Sequence, residues 1–522
     1  MNLFTPINEA ALGQLLFRRQ FVLAPRKLEK FAHWKTQSIA TRWIVHAHPD
    51  LGLTQVKSGS AELTLLGFCL NPDKPEQTDA EICAWLLEGT KSVDELTQKA
   101  NRLGGRWVLI FCHEGGEFIF TDACGMRIVR YFENHAEGPW CFTQAEAVRD
   151  LLGLELNHEA EREFFSTDYY LNCIEHWMPG DATHYEGVKH LSPNHYLDLR
   201  TSRVTRFWPW KKLETKTMAE AMAEAAALLR NSFTAAARRF PLALPLTAGW
   251  DSRLLLAASK PFSNDIFYYT LRYNSHKQDK HDLQIPPNLM AKLGLPHHLI
   301  ECPAGMPKSF GEIFYQNVTQ AAYVHGPIVF GLHLHFPNGR VCLKGLCSEI
   351  ARCFHYQDEY PESLDAGTLA AIAFGAAARQ NDYAVRHFGR WLERTLPVAK
   401  ETGYEILDLF QWEQKVANSV GPIESACDIA YETLALYNCR ALLEALLAAP
   451  QKFRRHPNYV LFRRLMQHLW PETLLEPINP IPLSEKLQMW INPLERNAKR
   501  LLKRLNMFDT AKKIYRRKHL QA

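Results

Sequence analysis

The sequence predicts a two-domain α/β protein, with an N-terminal α+β layer domain followed by a C-terminal domain on a parallel sheet. Three observations carry this. Residues from about Ala61 to Phe207 read mainly as strands and turns. At Lys211 the texture changes to a stretch rich in Ala, Leu and Glu. From Pro241 onward short apolar runs alternate with helical spacing, the pattern of a parallel α/β sheet.

In the N-terminal half, Ala61 to Phe68 is the first strand candidate. Arg106–Phe111, then Gly115-Gly116, then Glu117–Phe120 reads as a hairpin. Met126 to Phe132 follows as a third strand across the Asp122–Gly125 turn, and Glu186–Leu197 with Val204–Trp208 as a closing ribbon. Met218 to Phe233 has helical spacing and opens the second half. Pro241–Leu246 is a buried strand, Arg253–Ser259 a helix and Ile266–Leu271 a strand. Leu283–Leu293 is a helix and His297–Glu301 a strand. After His355 the pattern is mostly helical, ending in a basic tail. The expected boundaries are therefore 1–210, 211–495 and 496–522.

A chain of 522 residues exceeds one hydrophobic core. The net charge of +4 makes no case for nucleic-acid binding. The 12 cysteines are scattered without a CxxC pair, and Cys342, Cys347 and Cys353 lack zinc-site spacing, so they read as small buried hydrophobes in a reducing compartment. Met1 to Phe21 shows no secretory pattern, and no apolar run reaches membrane-spanning length. A cytoplasmic protein without a transmembrane segment is expected. His276, His281, His297, His298, His333 and His335 gather around the second half. On a strand, His333-Leu334-His335 places two imidazoles on one face, with no third ligand evident. Arg496 to Lys518 carries basic and apolar residues, read as a solvated helix end with peripheral membrane contact as the alternative.

Leu246-Thr247-Ala248-Gly249-Trp250-Asp251-Ser252-Arg253 joins the first strand of the second half to its helix. Small residues at 247–249 let backbone N–H groups approach a phosphate, and Ser252 offers a hydroxyl where the helix begins. Asp251 caps or holds the loop, and Arg253 adds positive charge. An ordinary capped strand–turn–helix connection explains the same pattern.

The segment resembles the pyrophosphatase loop of the asparagine synthetase family, Ser-Gly-Gly-x-Asp-Ser, with Thr247 and Ala248 in place of the first Ser and Gly. It lacks the Gly-Lys-Ser/Thr of a Walker A loop. In that family the loop binds the pyrophosphate end of ATP, AMP is transferred to a substrate carboxylate, and a nitrogen nucleophile then forms the amide. Asp282, the helix after it and Gly294 to His298 resemble the family's Asp, helix, Leu-Gly-x-x-His segment. Leu343 to Ile350 resembles its Ser-Gly-Glu-Gly-Ser-Asp-Glu loop: Gly345 and Ser348 match and Glu349 stands for the Asp, while Leu346 and Ile350 replace acidic residues. The resemblance implies ATP and Mg²⁺ as cofactors. It places Leu246, Thr247, Ala248, Gly249, Asp251, Ser252, Arg253, Gly345 and Ser348 at the phosphates, Asp251 and Glu349 at the metal, and a catalytic role on Glu349.

The first half resembles the family's glutaminase (N-terminal-nucleophile type) scaffold at Gly105–Trp107, Thr121–Gly125, Thr183–Val188 and Leu191–Pro193. That domain's nucleophile is a cysteine at position 2; here Asn2 stands there and the first cysteine is Cys69. A degenerate domain is implied, as in beta-lactam synthetases and lasso-peptide cyclases. The nitrogen then comes from ammonia, an amine or an ammonia-supplying partner. The acid is a small-molecule, saccharide or peptide carboxylate; similar loops occur among bacterial surface-polysaccharide genes. Trp412–Lys415, Tyr437–Arg440 and Trp470–Leu475 resemble the family's helical end, mostly as packing, with Lys415 and Arg440 either reaching an anion or salt-bridged. The lysine that active synthetases carry after this end is missing at Glu476–Pro480; Lys486 lies nearby. A scaffold that binds nucleotide or a partner without catalysis is the alternative. Sulfur transfer to tRNA fits the weak charge and absent CxxC least.

Overall fold

The computed structural model describes residues 12–134, 137–172, 175–273, 280–318, 325–357 and 360–480. Asn2, Cys173, His276, Lys486 and the basic tail lie outside them. Met1–Glu476 forms one compact unit containing every element below, and Pro477–Ala522 is a second unit.

The strands are β1 Phe21–Ala24, β2 Lys35–Ile39, β3 Trp43–Ala47, β4 Leu53–Ser58, β5 Ala61–Leu70, β6 Gly104–His113, β7 Gly116–Thr121, β8 Arg130–Asn134 and β9 Gly138–Phe142. They continue as β10 Val188–His190, β11 His195–Asp198, β12 Val204–Arg206, β13 Leu242–Pro245, β14 Phe267–Arg272, β15 His298–Glu301, β16 Val341–Lys344 and β17 Glu432–Ala435. Three helices bear on the site: α1 Met218–Arg239, α2 Trp250–Ala258 and α3 Lys280–Lys292.

Among the described residues, β1 to β12 build two antiparallel sheets, ordered β10-β8-β9-β1-β3-β2 and β12-β11-β7-β6-β5-β4. Their inner faces share one core: Phe21, Leu23 and Val45 of one sheet meet Val108, Ile110 and Ile119 of the other. Alternation explains this, since every second residue of a strand faces the same way. Trp43 Nε1 crosses the layers to Glu117 Oε2 at 2.7 Å. The predicted hairpin is β6–β7, closed by His113 opposite Gly116.

Two readings of this half are corrected. The strand expected from Met126 begins only at Arg130 and lies in the other sheet from the hairpin. Asp122 is the cause: its carboxylate takes the amides of Met126 and Arg127 at 2.8 and 2.9 Å, and that of Trp107 at 3.1 Å, so the backbone there closes a turn. The closing ribbon is β11–β12, extending the hairpin's sheet through β7, while β10 pairs with β8.

Thr217 and Glu220 form a capping box that starts α1. The second sheet is parallel, ordered β15-β14-β13-β16-β17, with β13 beside both β14 and β16. Chain order reverses between β13 and β16, the position where α/β sheets open a crevice beyond their carboxyl ends. Strand β17 completes this sheet within the stretch read as helical.

The two sheet systems join through buried charge. Arg106 of β6 clasps Asp428 with both terminal guanidinium nitrogens, and Glu432 at the head of β17 takes Arg127 at 2.8 Å and Arg106 at 3.1 Å. Asn438 accepts from Cys124 N at 2.8 Å and donates to Gly105 O at 2.7 Å. Residues 105–107 and 121–125 thus serve as joints. No helix of the described residues is long and apolar enough to cross a membrane.

Candidate functional site

Helix α2 begins at Trp250, where β13 has just ended at Pro245, so residues 246–249 span the crevice end of a central strand. The helix is buried almost throughout, its apolar run Leu254–Ala258 serving as core. This fixes the loop from below. From the side, Thr270 Oγ1 donates to Leu246 O at 2.8 Å and meets His297 Nε2 at 3.0 Å. Burial pushes His297 down to about 4, so it is neutral at neutral pH and donates to the hydroxyl whose proton Leu246 holds. That gives the His of the Gly294–His298 segment a bracing task.

Leu246 N donates to Tyr269 O at 2.7 Å, and the next three amides point at side-chain oxygens. Thr247 N donates to Ser252 Oγ at 3.1 Å, Ala248 N to Asp282 Oδ1 at 2.7 Å and Gly249 N to Thr247 Oγ1 at 3.1 Å. Asp282, at the start of α3, therefore reaches the loop, as its place in the resemblance implies. These three donors form a nest of the kind that accepts phosphate oxygens.

The β16 loop lies directly against this nest. A Cβ on Gly345 would stand 2.8 Å from the Asp251 backbone carbon and 2.9 Å from Ser252 N, so only glycine allows the approach. Cys347 has φ +74°, in the left-handed region, where the resembled loop has its second Gly. The Ser348 hydroxyl donates to Asp251 Oδ1 and Arg352 Nη2 to Asp251 Oδ2 at 2.9 Å. Asp251 is thus turned sideways onto the second loop, and Gly249 is the helix N-cap without a side-chain cap.

Glu349 stands beside Asp251. Burial first, then the Asp251 charge, push its carboxyl up to about 7 against an ordinary 4.5. The sign follows: between those values the folded protein keeps a proton that the unfolded chain has released. Stability from this group therefore falls as pH rises from about 4.5 through about 7. Urea midpoints at roughly pH 5 and pH 8 should show that loss in the wild type and a flatter profile in Glu349→Gln. Equal slopes would remove Glu349 as its source.

Arg253 is a departure. It is 1% exposed and donates to Thr473 O at 2.9 Å and Glu476 O at 3.0 Å. Burial pushes it down to about 10, still charged at neutral pH, and it ties the chain's late segment to α2. The structure does not bring it to the nest.

Mg²⁺ needs hard oxygens in near-octahedral array. Asp251 already has a donor on each oxygen, and burial with the Asp251 charge pushes the Glu349 carboxyl up to about 7. This donor set, as it stands, does not fit a divalent ion in the role expected of Asp251 and Glu349. Among the described residues no three His, Cys, Asp or Glu side chains gather for a metal. His333 and His335 end a helix, His325–His335, where i and i+2 positions diverge. The short apolar run before them suits either strand or helix, which is why spacing misplaced it.

Two residues at the site have no site role in the sequence reading. Arg352 lies over the rings of Tyr459 and Phe462, at 5.4 and 6.0 Å from their centroids. Although burial opposes its charge, Asp251 and Glu349 hold it above the ordinary arginine value. Tyr437, just past β17, is fully buried beside Asp251, Arg352 and Glu349; burial, then Asp251, keeps it a neutral phenol. Tyr437 lies in the Tyr437–Arg440 segment read as packing of a helical end, and β17 itself was not foreseen.

The remaining candidates resolve as structure. Lys415 pairs with Glu175 over Trp177. Arg440 is buried on Asn194 Oδ1 at 2.9 Å and over Phe207. Glu413 takes Arg206 at 2.8 Å and Trp391 at 2.9 Å. Burial raises every thiol for which a shift is resolved, among them Cys83 and Cys112 to about 12 and Cys439 to about 11, so none of these is a ready thiolate.

No protein-family model and no curated protein matches the chain. Among solved structures it aligns with an allosteric regulatory enzyme of purine biosynthesis at 12% identity and TM-score 0.24, over 64% of this chain and 70% of that one. It aligns with the glutamine phosphoribosylpyrophosphate amidotransferase of B. subtilis, complexed with ADP and GMP, at 9% and 0.25, over 71% and 96%. A third is the glutamine-dependent NAD⁺ synthetase of Acinetobacter baumannii with ADP, at 13% and 0.19, over 60% and 70%. Likenesses this distant carry no argument about activity.

Proposed function

We propose that the chain is an ATP-dependent ligase that adenylates a carboxylate and passes the acyl group to ammonia or an amine, without a glutaminase of its own. The observation that supports it best is the convergence at the switch point: the 246–249 nest at the end of β13 and the Gly345–Arg352 loop at the end of β16 meet through Asp251.

In this reading the 247–249 amides and the Ser252 hydroxyl bind the β- and γ-phosphates. A substrate carboxylate oxygen attacks the α-phosphorus, the bond to the β-phosphate bridge breaks and pyrophosphate leaves. The nitrogen lone pair then attacks the acyl carbon, AMP departs with the bonding electrons, and the nitrogen loses a proton. The substrate is a small-molecule, saccharide or peptide acid.

The test is pyrophosphate release from ATP with panels of carboxylates, with and without ammonium. Release that needs an acid, with amide formed when ammonium or an amine is present, is expected. No ATP binding by calorimetry at millimolar nucleotide would sink the proposal. One observation favours the alternative of a non-catalytic nucleotide or partner-binding scaffold: every loop amide already has an internal partner. Binding without pyrophosphate release from any acid would select it.

A further inference from the structure

Resting on the nucleotide reading above, we infer that Arg352 supplies from within the chain the positive charge that a phosphate site otherwise draws from a divalent cation, so that ATP binds here without the ion. Both oxygens of Asp251 are engaged, one by Ser348 and the other by the Arg352 guanidinium at 2.9 Å. The guanidinium therefore sits where a cation on that carboxylate would sit. It is held there: its side chain is 12% exposed and lies over the faces of Tyr459 and Phe462.

A second observation points to an anion. Arg352 Nε and the Tyr437 hydroxyl are both buried without a hydrogen-bond partner among the described residues. Tyr437 lies close enough to Asp251, Arg352 and Glu349 to feel all three charges. Unpaired buried donors are costly, and these two, on residues that feel each other's charge, are readily explained by a ligand that completes them. A phosphate oxygen suits both: the guanidinium fork matches phosphate geometry and the phenol adds a neutral donor. Charge supports the same assignment, because Asp251 without Arg352 would repel a polyphosphate.

The experiment is equilibrium binding of ATP by calorimetry, with magnesium and with excess chelator. For the wild type the two dissociation constants should agree within about threefold. In chelator Arg352→Met should bind about tenfold or more weakly, and magnesium should restore much of that loss because Asp251 is then free. Tyr437→Phe, which keeps the ring, should weaken binding about threefold in both conditions. Wild-type binding that falls about tenfold in chelator would overturn the inference while leaving the nucleotide site intact. Absence of ATP binding in both conditions would overturn the nucleotide reading and this one with it. The wild-type comparison decides the matter even if Arg352→Met does not fold.

Discussion

Gly345→Val should abolish ATP binding, and Gly345→Ala should weaken it about tenfold or more. The reason is the contact between two loops. A Cβ at 345 would meet the Asp251 backbone carbon and Cβ at 2.8 Å and Ser252 N at 2.9 Å. These atoms belong to the first turn of α2, and backbone cannot rotate away as a side-chain end can. The β16 loop must retreat by roughly half an ångström or more to reach ordinary contact distance. That movement stretches the bonds from Ser348 and Arg352 to Asp251, which hold the two loops together. Overpacking of this kind costs about 1–3 kcal/mol for alanine, and valine adds further methyls to the same space. Nucleotide titration with urea denaturation in parallel separates site distortion from general destabilisation. Wild-type affinity in Gly345→Ala would show that the close approach has no part in binding.

Much of this arrangement was legible in the sequence. The run from Pro241 to Leu246, small residues and then a helix announces a strand–loop–helix unit, and strand–helix alternation to Glu301 gives the parallel sheet. The Gly345 and Ser348 positions were readable through resemblance to a known loop. What could not be read is direction. Arg253 sits in the motif, yet the twist of α2 turns it toward the Thr473 and Glu476 carbonyls, which lie more than two hundred residues away in sequence. Arg352 and Tyr437 reach the site from elements whose register depends on β16 and β17. Strands β1 to β4 were also missed; in β2, whose residues are mostly exposed, Lys35, Thr36, Gln37 and Ser38 give the alternation rule little to detect. Met126 and Arg127 read as strand because the sequence does not reveal that one buried carboxylate takes their amides.

Arg106→Met should lower unfolding stability by about 3–5 kcal/mol, the range for removing one partner of a buried ion pair. Arg106 and Asp428 are 2% and 1% exposed at their side chains, so Asp428 would be left charged and without its main partner. Glu432, 15% exposed, would keep Arg127 at 2.8 Å and Arg19 at 3.6 Å. The double variant Arg106→Met with Asp428→Leu should recover most of the loss, since replacing both members by apolar groups removes the uncompensated charge. Urea denaturation of the cycle measures this, and a single-variant loss under about 1 kcal/mol would show the pair to be weakly coupled. The consequence reaches the site. Arg106 belongs to the Gly105–Trp107 fragment of the sandwich, and Asp428 and Glu432 flank the start of β17, whose far end places Tyr437. The N-terminal half would in that case serve to hold the edge of the parallel sheet. Arg106→Met should therefore weaken ATP binding as well as folding, and the double variant should restore both together.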